Sequence, residues 1–583
     1  MRNPLNEGGA LWLWLGAALL SCLPFLLPLY NPDLFWHLSA GRWMVEHGRL
    51  VREDFLSYTM QGAPWADFEW LSQVFYYGVH ALGGMAGLWL LKAALMAVSA
   101  AVLVGTLRLH GVPGPALAAA VVAWSAGNLP RADLRPDQFS VIGFGLLYLG
   151  VERVRLQRRR VGPRGIAAAF VGFALWTNFH AGCLFGFLLL ACCVLAAAAE
   201  RRWSEAITLA GVAAAAFLGT LVNPSGVGPY LVMLEHWWSR ADLSRHIQEW
   251  SATTFSNRFH QPFWAILLAF LAVVVVRLRS APWAASHIRP RHLASGGRPR
   301  QGASRPATAR HPARFPSGPV LAALALGLGA VRHVRVGAFF VPLGVALIFQ
   351  VAHEAGWLAA ARASKALLAA GLCYAVFLGW GIAPRLVWPG FFDGRFVPVA
   401  AAEFVAEERK AFEGLRLYNP WEWGGYLGWR LGPWHKVFDD GRYIFHGHLP
   451  EIGEAVKSVE KTKDYVDKQG FDGLFLRNIK SWFATRKAYR DGSTKRFLRP
   501  WYLFTFPKER WALVYWDEAA LLFVDRRKAP VQWLAEHEYR WVRPFDDDAF
   551  AEALERKEIP ADKVAIERRR HDEEVARLRA TRL

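Results

Sequence analysis

Asn31-Pro32-Asp33-Leu34-Phe35-Trp36-His37-Leu38 places an acid, an imidazole and two aromatic rings directly after the first long apolar stretch, about residues 10 to 29. That stretch is long enough to cross a bilayer and has no small-residue cleavage pattern, so it reads as a retained first helix. The polar residues therefore fall where lipid meets water, a boundary at which a carboxylate keeps its charge at little cost. A chain organised around such a stretch is a membrane protein with its chemistry at the interface.

Composition agrees. The 583 residues are 54% apolar and include 28 Trp, too long for one core and too apolar for an ordinary soluble protein. A net charge of +20 would suggest nucleic acid in a soluble chain. Here much of the excess lies in short loops between apolar stretches, where Lys and Arg set orientation, and nucleic-acid binding is set aside. Cys22, Cys183, Cys192, Cys193 and Cys373 all sit in apolar stretches without metal-type spacing, so neither a disulfide framework nor a zinc site is expected.

Further apolar stretches at about 85–107, 114–128, 138–152, 165–178, 182–199, 204–222, 261–278, 318–331, 336–353 and 365–386 bring the expected spans to about eleven. Several are shorter than the ~20 residues of a perpendicular helix, which predicts breaks and tilts. Arg153 to Arg160, Glu200-Arg201-Arg202 and a loop at 277–317 with nine arginines and no acid mark the cytoplasmic side. That loop, rich in Ala, Pro, Gly and Ser, reads as a disordered basic linker. With a cytoplasmic N-terminus, residues 30–84, 129–137, 223–260 and everything beyond about 388 face outward.

Within the first outward loop, Leu34, Leu38, Gly41 and Val45 recur at helical spacing and predict a short helix on the membrane surface, with the Asp33 carboxylate as its cap. A second amphipathic piece runs from about Glu69 to His80. Beyond the last span, strand-like runs at 415–418, 436–438, 473–476, 511–515 and 520–524 alternate with helical stretches such as 451–468. The expected fold is thus a polytopic α-helical membrane protein: a transmembrane module over 1–387, a soluble outward-facing α/β domain over 388–530, and a charged tail over 531–583, whose part from about Arg556 on is a solvated helix or disordered.

Several motifs carry a resemblance. They are Asp33-Leu34-Phe35-Trp36-His37-Leu38, Asp54-Phe55-Leu56-Ser57-Tyr58, Trp65-Ala66-Asp67-Phe68-Glu69-Trp70-Leu71, Arg131 to Pro136, Trp176-Thr177-Asn178-Phe179-His180-Ala181-Gly182, Asn223-Pro224-Ser225-Gly226 and Arg332-His333-Val334-Arg335. In layout and in these motifs the chain resembles the GT-C superfamily of polytopic glycosyltransferases, which includes protein O-mannosyltransferases and aminoarabinose transferases. Asn419 to Leu427 and Val437 to Arg442 resemble a C-terminal domain attached to bacterial members. The resemblance implies transfer of a sugar, with inversion, from a polyprenyl-phosphate-linked donor to a cell-envelope glycan, lipid or protein acceptor, at the inner membrane. Many members carry two adjacent acids in the first outward loop, whereas Asp33 stands alone here.

In such a reaction a general base takes the acceptor proton, and Asp33 is the candidate, with helix capping as the plainer alternative. Glu69, between Trp65 and Trp70, suits an acceptor hydroxyl or a divalent metal, or else pairs with an arginine. His37 suits orienting Asp33 or binding phosphate, against a local hydrogen bond. Arg131, Arg135, Arg332 and Arg335 lie on the outward side, against the positive-inside bias, and their guanidinium forks match a lipid phosphate. Pairing with Asp133, Asp137 or lipid headgroups is the alternative. Asn178 and His180 interrupt an apolar run and line a cavity or bond helix to helix. Asp439, Asp440 and Arg442 read as a structural turn. No nucleotide-type Gly-rich loop, zinc helix or serine nucleophile motif is present. Rival functions are an oligosaccharide polymerase or ligase using a diphosphate-linked donor, a non-catalytic lipid-glycan-binding scaffold, and a transporter.

Overall fold

The computed structural model describes residues 16, 18–157, 161–238, 240–286, 315–359, 373–374, 376, 390–490 and 492–579. The described chain is mostly helical and falls into two compact units. Unit one comprises Met1–Leu27, Leu91–Arg240 and Ile247–Trp388; unit two comprises Pro28–Leu90, Ala241–His246 and Pro389–Leu583.

The apolar periodicity locates the helices of unit one closely. Stretches expected from 114 to 353 are the helices Gly114–Asn128, Asp137–Gln157, Pro163–Phe179, Cys183–Ala199, Trp203–Thr220, Gln261–Ser286, Ser317–Arg332 and Gly337–Glu354. Four helical segments are long and apolar enough to cross a membrane: Trp70–Leu109, Trp203–Thr220, Gln261–Arg279 and Val334–Glu354. With them the chain is an integral membrane protein. Cys183–Ala199 and Ser317–Arg332 are apolar but shorter, as the brief runs in the sequence predict. Residues 10–15 and 17 of the first expected stretch, and nearly all of that at 365–386, lie outside the described residues.

The linker expected at 277–317 needs correction at its start. The helix from Gln261 continues to Ser286, because Arg277 and Arg279 are good helix formers and no breaker precedes them. Residues 287–314 lie outside the described set.

Trp70–Leu109 is one helix in hydrogen bonding, kinked at Gly84 (φ 56°, ψ −151°), a conformation that a side chain would oppose. The amphipathic piece expected at 69–80 is thus the start of this helix.

Unit two is where the sequence expectation changes most. The loop 30–84 belongs with the C-terminal residues. Its helix Asp33–His47 is buried from Leu34 through Gly41 while Val45 is exposed, so it is an interior helix and not one lying on a surface. Phe35 packs edge-on to both Phe392 and Tyr426 at 4.8 and 4.9 Å. A Cβ on Gly41 would collide with the Gln73 carbonyl, so only glycine permits this approach to the helix beginning at Trp70.

The sheet is β1 (Leu417–Tyr418), β2 (Gly473–Arg477), β6 (Ala520–Asp525) and β5 (Trp511–Trp516) in that order, with β1 parallel to β2 and the other pairs antiparallel. Four of the expected strand runs are these strands. The fifth, 436–438, makes a single parallel bridge, Ser57 to Val437. A separate hairpin, β3 (Trp482–Ala488) with β4 (Thr494–Pro500), has no counterpart in the sequence expectation. In the tail, Val531–His537, Asp547–Glu555 and Ala561–Arg579 are helices. Glu567 accepts the backbone N–H groups of Arg540, Trp541 and Val542, and Leu578 is buried.

Candidate functional site

The residues singled out in the sequence form an acidic group in unit two and a basic group in unit one. In unit two the helix begins at Asp33 itself, so its carboxylate is not the cap. The Asn31 side chain accepts the Asp33 backbone N–H at 3.2 Å. The Asp33 carboxylate instead lies against Gly441, where a Cβ would meet it, and the buried Trp36 Nε1 is 3.3 Å from that same Cβ position. His37 Nε2 stands 3.9 Å from Glu69 Oε2, so the two candidates named with Asp33 face each other.

Beside them is an acid that spacing alone does not distinguish from its neighbours. Asp67 accepts from the Glu69 backbone and, at 2.8 Å, from Gln73 Nε2. Burial pushes its carboxyl up to about 7, against these hydrogen bonds and the Arg442 charge. A carboxyl that titrates near neutrality beside a histidine and a glutamate is suited to moving protons.

Beneath this group is a fully buried clamp. Arg442 lies 2.7 Å from Asp54 and binds Asp440 in a fork at 2.7 to 3.0 Å, stacked over Trp65 at 4.6 Å. Asp54 also accepts from the backbone of Leu56 and Ser57. Val437 donates to Leu56 O and Tyr58 donates to Val437 O, which zips the loop to the Asp439-Asp440-Gly441-Arg442 turn. The structural role expected of that turn is visible in its contacts; its approach to Asp33 is not foreseeable from spacing.

In unit one the short helix Leu129–Arg131 turns Arg131 toward Asp137, with which it pairs, and toward Glu249 Oε2 at 3.4 Å. Arg135 pairs with the other Glu249 oxygen. The alternative pairing of Arg131 with Asp137 is therefore present, and Glu249, a residue the sequence does not single out, bridges two guanidiniums. Beside Arg131 and Asp137 is a cavity of about 20 Å³, room for one water, bordered also by Gln138 and Trp124.

Arg335 lies over the Trp250 ring at 5.3 Å, and His236 stacks on the same ring at 5.9 Å. His333 Nδ1 is 2.8 Å from the Trp250 carbonyl and Val334 donates to Ser251 O, which ties the two segments. His180, between two helices, meets Ser140 Oγ at 2.7 Å through Nδ1. Burial, then the charges of Arg335 and Arg131, push its imidazole down to about 3, so it is neutral and its neighbourhood is positive.

Arg131 and Arg135 thus meet at Glu249 and Arg335 at the adjacent Trp250, while His180 bonds Ser140. Two further candidates are not in this group. Asn178 Nδ2 bonds the carbonyls of Ala174 and Val222 at 2.7 Å, the helix-to-helix alternative. Arg332 is exposed at the end of its helix.

Among the described residues no group of three or more His, Cys, Asp or Glu side chains is arranged to hold a metal ion. The donors near Glu69 form no such group.

Among the solved structures that resemble the chain are two of one protein. They are ArnT from Cupriavidus metallidurans in the apo state, 13% identical with a TM-score of 0.44 over 89% of this chain and 98% of that one, and the same protein bound to undecaprenyl phosphate, 14% identical with a TM-score of 0.46 over 90% and 99%. ArnT is thus a structural neighbour across most of the chain at low sequence identity. No family model matches the chain, and no curated protein does.

Proposed function

We propose that the chain is a membrane glycosyltransferase of GT-C type that moves a sugar, with inversion, from a polyprenyl-phosphate-linked donor to a cell-envelope glycan, lipid or protein acceptor. The observation that carries this reading is the gathering of three arginines on one short segment of a largely apolar helical unit, Arg131 and Arg135 at Glu249 and Arg335 at the adjacent Trp250. Guanidiniums held by a partly exposed carboxylate in such a setting can exchange it for another anion that matches their fork. A phosphate on a lipid carrier supplies that anion.

The acceptor hydroxyl attacks the anomeric carbon and its proton passes to the Asp33 carboxylate. The bond from that carbon to the phosphate oxygen breaks, and the electron pair leaves with the phosphate. Arg131, Arg135 and Arg335 offset the charge that grows on it. Glu69 and Asp67, with His37, hold or relay the acceptor proton. Because Glu249 occupies two of the guanidiniums, phosphate binding displaces it. In this reading the N-terminus is cytoplasmic and unit two faces outward.

Sugar transfer in proteoliposomes, with a panel of polyprenyl-phosphate and polyprenyl-diphosphate sugars, tests the proposal. Asp33→Asn is expected to lose about 10²- to 10⁴-fold in rate with donor binding retained. Transfer that survives the substitution moves the base elsewhere, and use of diphosphate donors alone favours a polymerase or ligase.

A further inference from the structure

The β3–β4 hairpin stands apart from the main sheet. Residues 479–500 contain seven Lys or Arg (Lys480, Arg486, Lys487, Arg490, Lys495, Arg496, Arg499) against one acid, Asp491. Its register separates the bases by face, since residues opposite each other on paired strands point the same way. Phe483, Thr485 and Lys487 oppose Arg499, Phe497 and Lys495. On this face each base has an acid: Lys487 pairs with Glu558, Lys495 with Glu552, and Arg499 with Asp546 at 2.6 Å.

The other face differs. Trp482, Ala484 and Arg486 oppose Pro500, Leu498 and Arg496, and Trp482 and Leu498 are 42% and 58% exposed. Arg486 and Arg496 are exposed and directly opposite one another. Like charges so placed repel, and among the described residues no ion pair is made by either. Ile479 and Lys480, also exposed, extend the same mixture of apolar and basic groups.

We infer that this face docks on an anionic phospholipid surface. Charge complementarity demands an anion between the two guanidiniums. The exposed Trp482 and Leu498 favour lipid over a soluble acidic polymer, because a tryptophan flanked by basic residues is suited to the headgroup layer. The spanning helices of the same chain keep a bilayer at high effective concentration around the hairpin.

The full chain in nanodiscs of phosphatidylcholine, alone or mixed with phosphatidylglycerol, tests this with trace photoactivatable phosphatidylglycerol or phosphatidylcholine, cross-links being mapped by mass spectrometry. The expected result is cross-linking within 482–498 by the phosphatidylglycerol probe, reduced on the order of tenfold in the Arg486→Ser/Arg496→Ser variant and by high salt. Lys487→Ser/Lys495→Ser, an equal loss of two charges on the acid-paired face, is expected to keep it. Phosphatidylglycerol cross-links confined to the spanning helices, equal yield from the phosphatidylcholine probe, or a hairpin yield unchanged in the double variant would each overturn the inference. So would protection of Arg486 and Arg496 by a soluble acidic polysaccharide in detergent with no lipid cross-link at the hairpin.

Discussion

The Asp33 carboxylate occupies the space that a Cβ on Gly441 would need. Residues 408 positions apart in sequence are therefore packed as one feature, and the C-terminal turn forms the floor under the proposed base. Gly441→Ala is expected to push the carboxylate aside and slow transfer by up to about 10²-fold, as small misplacements of a reacting group do. In an Asp33→Asn background the same substitution is expected to cost nothing further. Rate measurements on the four proteins of this cycle decide it, and an additive loss would mean that Gly441 acts independently of Asp33.

Arg442 is buried between Asp54 and Asp440. Its replacement by Met leaves two carboxylates in the interior without their cation, at a cost of about 3–5 kcal/mol. Thermal unfolding in detergent should show a correspondingly large loss. Adding Asp54→Asn and Asp440→Asn to Arg442→Met should recover part of it, because no buried charge then remains.

Asp67 makes stability depend on pH with a definite sign. Its carboxyl is raised from 3.8 to about 7 by burial, so the folded state holds the proton more tightly than the unfolded chain. The stabilisation it contributes is complete below the unfolded value and is lost as pH rises through about 7. Asp67→Asn should therefore flatten this part of the profile and exceed the parent in unfolding temperature above neutrality. Parallel slopes for the two proteins between mild acid and neutral pH would refute the shift.

Glu249 holds Arg131 and Arg135. Glu249→Gln removes the competing charge and is expected to tighten binding of undecaprenyl phosphate by roughly fivefold, in keeping with the worth of a partly exposed ion pair. Arg131→Ala should weaken it. Tryptophan-fluorescence or calorimetric titration reads both, and a weaker-binding Glu249→Gln protein would make Glu249 a support for the arginines and not their competitor.

The helices of unit one were legible because a helix in a bilayer must be apolar over its whole length, and that leaves runs visible in one dimension. The expected stretches from 114–128 to 336–353 match helices nearly residue for residue. Strands β2, β5 and β6 were legible for the same reason, being buried on both faces. The β3–β4 hairpin was not, because one of its faces is open and basic and imitates a charged loop. The helical character of Asp33–His47 was readable, but its interior position was not.

What the sequence by itself determined was therefore the membrane class, the helix positions and the residue types able to serve a lipid-phosphate reaction, all properties of local hydropathy and chemistry. Tertiary structure alone decided which of these residues meet. Arg131 and Arg135 meet at Glu249 and Arg335 at the adjacent Trp250, while Arg332 stays exposed and Asn178 bonds between helices. Glu249 and Asp67, unremarkable in sequence, acquire their roles from what surrounds them. A side chain's charge, reach and pKa depend on burial and neighbours brought from distant parts of the chain, and those distances are not written in the order of residues.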